Sequence, residues 1–410
     1  MKKLLVIGRT FPEPSTTATG GRMLDLLQFF LENEYQIVFA SAASLSERSA
    51  PLKTLGIEVK NVQLNDDSFD VCLEEFQADI VLFDRFISEE QFGWRVSEIL
   101  PKALKILDTE DLHFLRKARE AAHNTKVLFE EDQLYSDEAK RELASILRCD
   151  LSLIISEYEM DLLQRLFKIP SEILYYLPLL VAEKLAAQKK PSFEERQYFI
   201  TAGNFYHAPN LDAVLRLKKE IWPLIRKESP QAELHIYGAY APEQVLQMHK
   251  PKEGFFIEGW IADLDIVLSQ AKVCLAPLSF GAGLKGKLVQ AMINQTPVVT
   301  TKIGAEGMYG KGKVPGIIAE DSESIAQAAI TLYNQKETWE ACQIEINSIL
   351  SNRFNKAKYL REFAARLTAL ENNLETHRKA NFIMQIMQHE TLKSTKYLSK
   401  WITEKNKNIN

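Results

Sequence analysis

The sequence predicts an α/β protein made of two doubly wound parallel sheets. Short, wholly apolar runs such as LLVI and ADIVLF alternate with segments of helical apolar spacing. Strands that are covered on both faces read as such runs, so the alternation points to parallel sheets with helices on each side. The chain has 410 residues, too many for one ordinary core. The rhythm also breaks once, over 177–195, and then restarts, which divides the chain into two units.

In the first unit Lys3–Gly8 reads as a strand, and Arg9–Gly21 as a polar loop rich in Pro, Thr and Gly. Arg22–Asn33 has Met23, Leu24, Leu26, Leu27, Phe30 and Leu31 at helical spacing. Gln36–Ala40, Ala78–Phe83, Leu104–Leu107 and Leu151–Ile155 are further strands, the last followed by a helix over Glu157–Phe167. A linker is expected over 178–195, with Pro178, Pro191 and the Lys189-Lys190 pair. The second unit reads strand 198–202, helix 210–221, strands 233–237 and 255–258, helix 263–270, strand 272–276, helix 287–293 and strand 297–301. Helices over 322–334 and 337–350 follow. The expected domains are 1–177 and 196–375, with a helical tail over 376–410. In that tail Phe382, Ile383, Ile386, Met387, Leu398 and Trp401 form a sticky face, expected to dock on the first domain. From His377 onward seven lysines and arginines stand against two acids. A basic amphipathic helix of this kind also suits an anionic lipid surface, so a peripheral membrane contact is a second expectation.

With 46% hydrophobic and 26% charged residues and a net charge of −5, nothing points to nucleic acid. Cys72, Cys149, Cys274 and Cys342 lack metal-site spacing and read as core thiols of a reducing cytoplasm. The run LLVIG is too short for the apolar region of a signal peptide, and no stretch is long enough to span a bilayer.

The chemistry concentrates in LAPLSFGAGLKGKLVQAMINQTPVVTTKIGAEGM, residues 275–308. A buried strand closes at Pro277. Gly281, Gly283 and Gly286 then free the backbone, with Lys285 and Lys287 beside them, and a helix begins. Such a loop presents bare amides and a positive dipole end to an anion, and two lysines make a diphosphate the fitting one. A tight turn with solvated lysines is the plainer alternative.

Gly20-Gly21, between the first strand and its helix, occupies a phosphate-cradle position in an open α/β sheet; a simple helix entry is the other reading. The chain reads Gly8-Arg9-Thr10-Phe11 after that strand, which is not the dinucleotide fingerprint. ILDTEDLHFLR, residues 106–116, turns polar at the end of a buried strand and brings Asp108, Glu110, Asp111, His113 and Arg116 within three turns. The same acids could cap a helix. TAGNFYHAPN, residues 201–210, ends the first strand of the second unit with Gly203, Asn204 and His207, and Asn210 reads as an N-cap. Gly238 and Gly259-Trp260 each close a later strand.

Residues 281–307 resemble the donor-binding signature of the GT-B glycosyltransferases of group 1, the large retaining, family 4-like group. Gly281-Ala282-Gly283, Lys285-Gly286-Lys287, Ala291-Met292, Pro297-Val298-Val299 and Gly304-Ala305-Glu306-Gly307 stand in that order. The resemblance implies two Rossmann-like domains facing across a cleft and a C-terminal helix that crosses back. It implies transfer of a sugar from a nucleotide-diphosphate sugar to a glycan, lipid or protein acceptor, with retention; Lys285, Lys287 and the glycine amides can neutralise the leaving diphosphate without a metal, and no other cofactor is expected. Gly20, Gly21, Gly203, Asn204, Gly238, Trp260, Gly281, Gly283, Lys285, Lys287 and Gln290 are then the donor contacts. Asp108 and His113 face the reacting sugar. Three positions depart from the family pattern: Gln290 replaces the acid that holds the donor ribose, Ala282 another acid, and Ser279 an arginine. A nucleotide-sugar epimerase on the same fold, using the Asp108–His113 cluster, is one alternative. A non-catalytic sugar-binding or interaction domain, suggested by Gln290 and Ala282, is another.

Overall fold

The computed structural model describes residues 1–183, 190–310 and 312–407. Part of the expected linker, with Lys189, and the last residues of the tail lie outside them.

The first domain is a seven-stranded parallel sheet ordered β3-β2-β1-β4-β5-β6-β7. Its strands are β1 (Lys3–Gly8), β2 (Gln36–Ser41), β3 (Glu58–Asn61), β4 (Ile80–Asp84), β5 (Leu104–Asp108), β6 (Leu151–Ile154) and β7 (Leu174–Tyr176). The second has six parallel strands ordered β10-β9-β8-β11-β12-β13. These are β8 (Tyr198–Ala202), β9 (Leu234–Tyr237), β10 (Phe255–Gly259), β11 (Ala271–Ala276), β12 (Val298–Thr300) and β13 (Gly316–Ile318). Both sheets share the doubly wound 3-2-1-4-5-6 order, the first with one strand added. Strand order reverses beside β1 and β4 in one sheet, and beside β8 and β11 in the other. Ligands of such sheets bind at that switch point, beyond the carboxyl ends of the strands.

The two-residue strand period sorts side chains onto opposite faces. Leu5, Ile7, Val81 and Phe83 fill one core layer of the first sheet, while Leu4, Val6, Ile80 and Leu82 fill the other. In the second sheet Phe199, Val273 and Leu275 face one layer, and Ile200, Cys274 and Ala276 the other. All four cysteines are buried and free.

Several boundaries differ from expectation. The first helix starts at Ala18, with Thr17 capping the Gly20 amide, so Gly20 and Gly21 lie inside its first turn rather than in a loop. A Cβ on Gly20 would lie 2.5 Å from the Glu13 carbonyl, which explains that glycine by close packing. The helix after β8 runs Ala208–Arg216 with His207 at its N-cap, so Asn210 is not the cap. β3, β7 and β13 were missed because they are short and, in β3, half-exposed.

The chain crosses between domains near 177–181 and returns near 354–356. The crossings bond to each other: the Val181 amide donates to Phe354 O at 2.7 Å, and the Lys356 amide to Val181 O at 3.0 Å. The helix Lys356–Ala380 then lies on the first domain, with Phe363 5.2 Å from Phe29. The last helix, Phe382–Lys407, also packs there, against helices Arg85–Ile99 and Asp137–Arg148. It is turned the opposite way from expectation. Met384, Ser399 and Thr403 are buried, and the Gln388 amide donates to Arg148 O. Phe382, Ile383, Ile386, Leu398 and Trp401 instead point to solvent, Phe382 and Trp401 about 60% exposed.

One buried ion pair ties the first domain to the crossing. Arg22 donates through Nε and Nη2 to Asp108 at 2.9–3.1 Å, and through Nη1 to the carbonyls of Leu177 and Pro178. Both side chains are essentially inaccessible to water. Asp108→Ala would strand a buried guanidinium and is expected to cost about 3–5 kcal/mol of stability in urea unfolding. A cost below about 1 kcal/mol would show that the pair contributes nothing net.

Candidate active site

The carboxyl ends of the two sheets face each other across a cavity of about 660 Å³. From the first domain it is lined by residues after β1 (Arg9, Thr10), β4 (Arg85) and β5 (Glu110, Asp111, His113, Arg116), and by the loop entering the first helix. The second domain contributes the ends of β8, β9 and β10 and the lysine loop after β11.

Of the residues predicted from sequence, His113, Gly203, Asn204, Gly238, Trp260, Gly281, Lys285, Lys287 and Gln290 line this cavity. Asp108, Gly20, Gly21 and Gly283 do not line it. Asp108 is committed to Arg22 beneath the wall, and Gly20 and Gly21 sit within the helix.

The lysine loop is held tightly. The Lys285 ammonium donates to the carbonyls of Gly283 at 2.6 Å and Ala282 at 3.1 Å. Lys287, in the first turn of helix Gly286–Ile293, donates to Asn210 Oδ1 at 2.7 Å. Burial pushes both ammonium groups down to about 8. Two desolvated cations at a helix N-terminus favour an anion that restores their lost solvation. Gln290 sits one turn further on, and its position on the wall makes it a neutral hydrogen-bonding group.

Gly283 and Gly286 of this loop, and Gly307 beyond it, answer to the opposite domain. Gly283 has φ +61°, and a Cβ there would lie 2.8 Å from Asp111 Cβ. At Gly286 a Cβ would meet Ala18 Cβ at 2.2 Å, and at Gly307 it would meet Ser156 Oγ at 2.6 Å. Ala282 packs into the apolar core of the first domain, where a carboxylate would be desolvated. Gly238 permits a different approach: its Cβ would fall 2.1 Å from Gly203 O, at the paired ends of β8 and β9.

Polar contacts span the same seam. Arg119 forms a two-pronged pair with Glu306 at 2.7 and 2.8 Å and donates to Gly281 O at 2.9 Å. Glu159 Oε1 accepts from the Leu112 amide at 3.0 Å and the Gly283 amide at 2.8 Å. Burial, reinforced by Asp111, pushes the Glu159 carboxyl up to about 8.

His113 begins the helix His113–Thr125. The buried Glu142 carboxylate accepts from the amides of His113 and Phe114 and so neutralises this N-terminus. His113 Nδ1 lies 3.1 Å from Asp111 O; a carbonyl only accepts, so Nδ1 carries a proton and donates it there. Burial works against the Asp111 charge, but Arg116, His113, His207 and Arg85 outweigh it and hold that carboxyl at about 2. His207 is pushed down to about 4 by burial and by Arg116, so it is neutral at physiological pH.

Arg9, Arg85 and the rim residues Arg48 and Tyr240 were missed in the sequence. Arg85 follows the buried strand β4 immediately, and a charged residue at that place was the available signal. Arg48, from the first domain, stacks on Tyr240 (4.8 Å) and Trp260 (5.2 Å) of the second. Tyr240 also donates to Glu13 at 2.8 Å. Only the folded chain brings these rim residues together.

Residues 196–335 match the family "Glycosyl transferases group 1". No curated protein matches the chain. Among solved structures, sucrose-phosphate synthase of Thermosynechococcus elongatus aligns with a TM-score of 0.67 at 13% identity, over 90% of this chain and 99% of that one. HepE of Anabaena in complex with UDP-glucose aligns with a TM-score of 0.66 at 14% identity, over 90% and 100%. TarM of S. aureus, in a complex that includes UDP, aligns with a TM-score of 0.56 at 14% identity. That match covers 72% of this chain, which spans only 57% of TarM. The chain thus has the GT-B fold, and residues 196–335 form a group 1 glycosyltransferase domain.

The Glu159 carboxyl yields a prediction. Its affinity for the proton is raised on folding, so its contribution is complete below the unfolded pKa and is lost as pH rises through about 8. Glu159→Gln keeps the acceptor oxygen and cannot ionise. It is expected to flatten the fall in Tm between about pH 4.5 and 8; an unchanged slope would mean that other groups set it.

Proposed function

We propose that the chain is a glycosyltransferase that moves a sugar from a nucleotide-diphosphate donor, with UDP-glucose the first candidate, to an acceptor in the cleft. The pair of buried ammonium groups at the helix N-terminus carries this reading. Bond cleavage at the anomeric carbon builds charge on the departing diphosphate. Lys285, Lys287 and the amides opening the helix are fixed before the reaction and meet that charge without reorganising. His113, on the cavity wall, is suited to a hydrogen bond with a sugar hydroxyl. Asp108 then has a supporting role through Arg22. Retention at the anomeric carbon follows from the family resemblance.

Lys287→Ala is expected to weaken UDP binding by about 1.5–3 kcal/mol in calorimetry, the range for a charge-assisted bond. Affinity in the unaltered chain should also fall above about pH 8, as the ammonium loses its proton. Wild-type affinity in the variant would remove the lysine wall from donor binding. A panel of nucleotide sugars scored for nucleotide release separates transfer from epimerisation, which frees no nucleotide, and from a purely binding domain.

The lysines can neutralise the leaving group themselves, so turnover is expected to persist in EDTA. Loss in EDTA with recovery in Mg²⁺ or Mn²⁺ would replace this mechanism with a metal-assisted one.

The proposal extends to the last helix. Its outward face carries Phe382, Ile383, Ile386, Tyr397, Leu398 and Trp401, with exposed Lys400 and Lys405 beside them. An aromatic and aliphatic stripe flanked by lysines suits the interface of an anionic bilayer. Among the described residues no helix is long and apolar enough to cross a membrane. Cosedimentation with vesicles containing phosphatidylglycerol is expected, and Ile386→Glu combined with Trp401→Ser should abolish it. Equal recovery with and without vesicles would refute the contact.

A further inference from the structure

We propose that the first-domain wall of the cavity is a subsite for an acceptor carrying an oxyanion, a phosphate or carboxylate, near its reacting hydroxyl. The inference rests on the transferase reading and adds the class of acceptor.

Three guanidinium groups line this wall: Arg9, Arg85 and Arg116. Two have counter-charges. Arg116 pairs with Asp111 at 2.6 Å, and Arg85 lies 3.5 Å from Asp84. Arg9 is exposed at the cavity, and its side chain has no hydrogen bond or ion pair among the described residues. Partial desolvation of its guanidinium and the nearby charges of Arg85 and Arg116 make its proton easier to lose, so an anion placed among the three relieves their repulsion.

Backbone strain marks this wall. Arg85 has φ +67° and Glu110 φ +64°, a left-handed conformation that costs a non-glycine residue energy. Both sit just past strand ends and line the cavity. Glu110 is 4% exposed, and its Oε2 has no hydrogen-bond partner. Burial and Asp108 push that carboxyl well up toward its neutral form, and burial does the same to Asp84. Asp84 and Glu110 are buried, whereas Arg9 stands exposed on the wall, so the cavity meets a cation there. Glu110 is placed to hold a hydroxyl, and the arginines to hold an oxyanion on the same molecule.

The donor's charge is met elsewhere. Lys285 and Lys287 line the cavity from the second domain, whereas Arg9, Arg85 and Arg116 line it from the first. The cavity thus has two cationic clusters, one from each domain. In the transfer the acceptor hydroxyl oxygen bonds to the anomeric carbon. The bond from that carbon to the diphosphate breaks, and its electron pair leaves on the diphosphate oxygen, which takes the hydroxyl proton. The oxyanion is a handle and is unchanged.

The test uses charged and neutral twins: glycerol 3-phosphate against glycerol, glucose 6-phosphate against glucose, and glucuronate against glucose. Each is titrated by calorimetry into the full chain saturated with UDP. At least one charged twin is expected to bind about tenfold or more tightly than its neutral partner, as a charge-assisted contact requires. The winning pair identifies phosphate or carboxylate. Arg9→Ala, at an exposed position that folding tolerates, should abolish the preference while leaving UDP affinity unchanged. No preference in any pair overturns the subsite. So does an equal loss of UDP affinity in Arg9→Ala, which would put the arginines on the donor. If UDP does not bind at all, the same pairs are titrated without it. An Arg9-dependent preference then supports the subsite while the donor reading fails; a preference lost instead in Lys287→Ala overturns the subsite.

Discussion

The architecture of this cleft depends on how closely the lysine loop approaches the first domain. At Gly283 and Gly286 a single added carbon would overlap Asp111 or Ala18. Two wide sheets therefore meet at a seam one backbone thick, and Glu159 reads the Gly283 amide directly across it. Arg119 binds Glu306 and the Gly281 carbonyl, so the loop is positioned by the first domain as much as by its own strand and helix. The lysines are buried because the seam is tight, and burial makes them responsive to an anion.

Charge is distributed in layers around the cavity. Deepest lies the Arg22–Asp108 pair, closed to water and bonded to the chain crossing. Above it the carboxyl groups after β5 behave differently within a few residues. Asp111 stays ionised beside Arg116, whereas Glu110 is driven toward neutrality by burial. Environments that separate like groups in this way give one loop two carboxyl groups of different proton affinity.

Much of the fold was legible because parallel strands buried on both faces leave unmistakable apolar runs. The strands that escaped notice are three or four residues long, and β3 has half-exposed side chains without a buried run. The second-domain wall was legible for a related reason: Lys285, Lys287, Gly203 and Gly238 lie in loops whose spacing is local. Asp108 and Gly20 misled because burial and packing against distant residues, Arg22 and Glu13, decide their roles. Arg9, Arg85 and Arg48 act as a wall and a rim only once separate strand ends are brought together. The last helix was assigned an apolar inner face by the ordinary rule, yet Gln388 and Thr403 anchor it through polar bonds to Arg148 and Asn65.

The two passages of chain between the domains are laced together. Val181 and Asn355 form a parallel bridge, and Val181 bonds to both Phe354 and Lys356. Two independent tethers would let the halves slide, tilt or splay. A paired tether, with Arg22 gripping the carbonyls of Leu177 and Pro178 just before it, behaves as a hinge pin. The two crossings thus join the domains at one paired junction rather than at two separate points. That junction and the glycine seam fix the lysine loop against the first domain from two sides.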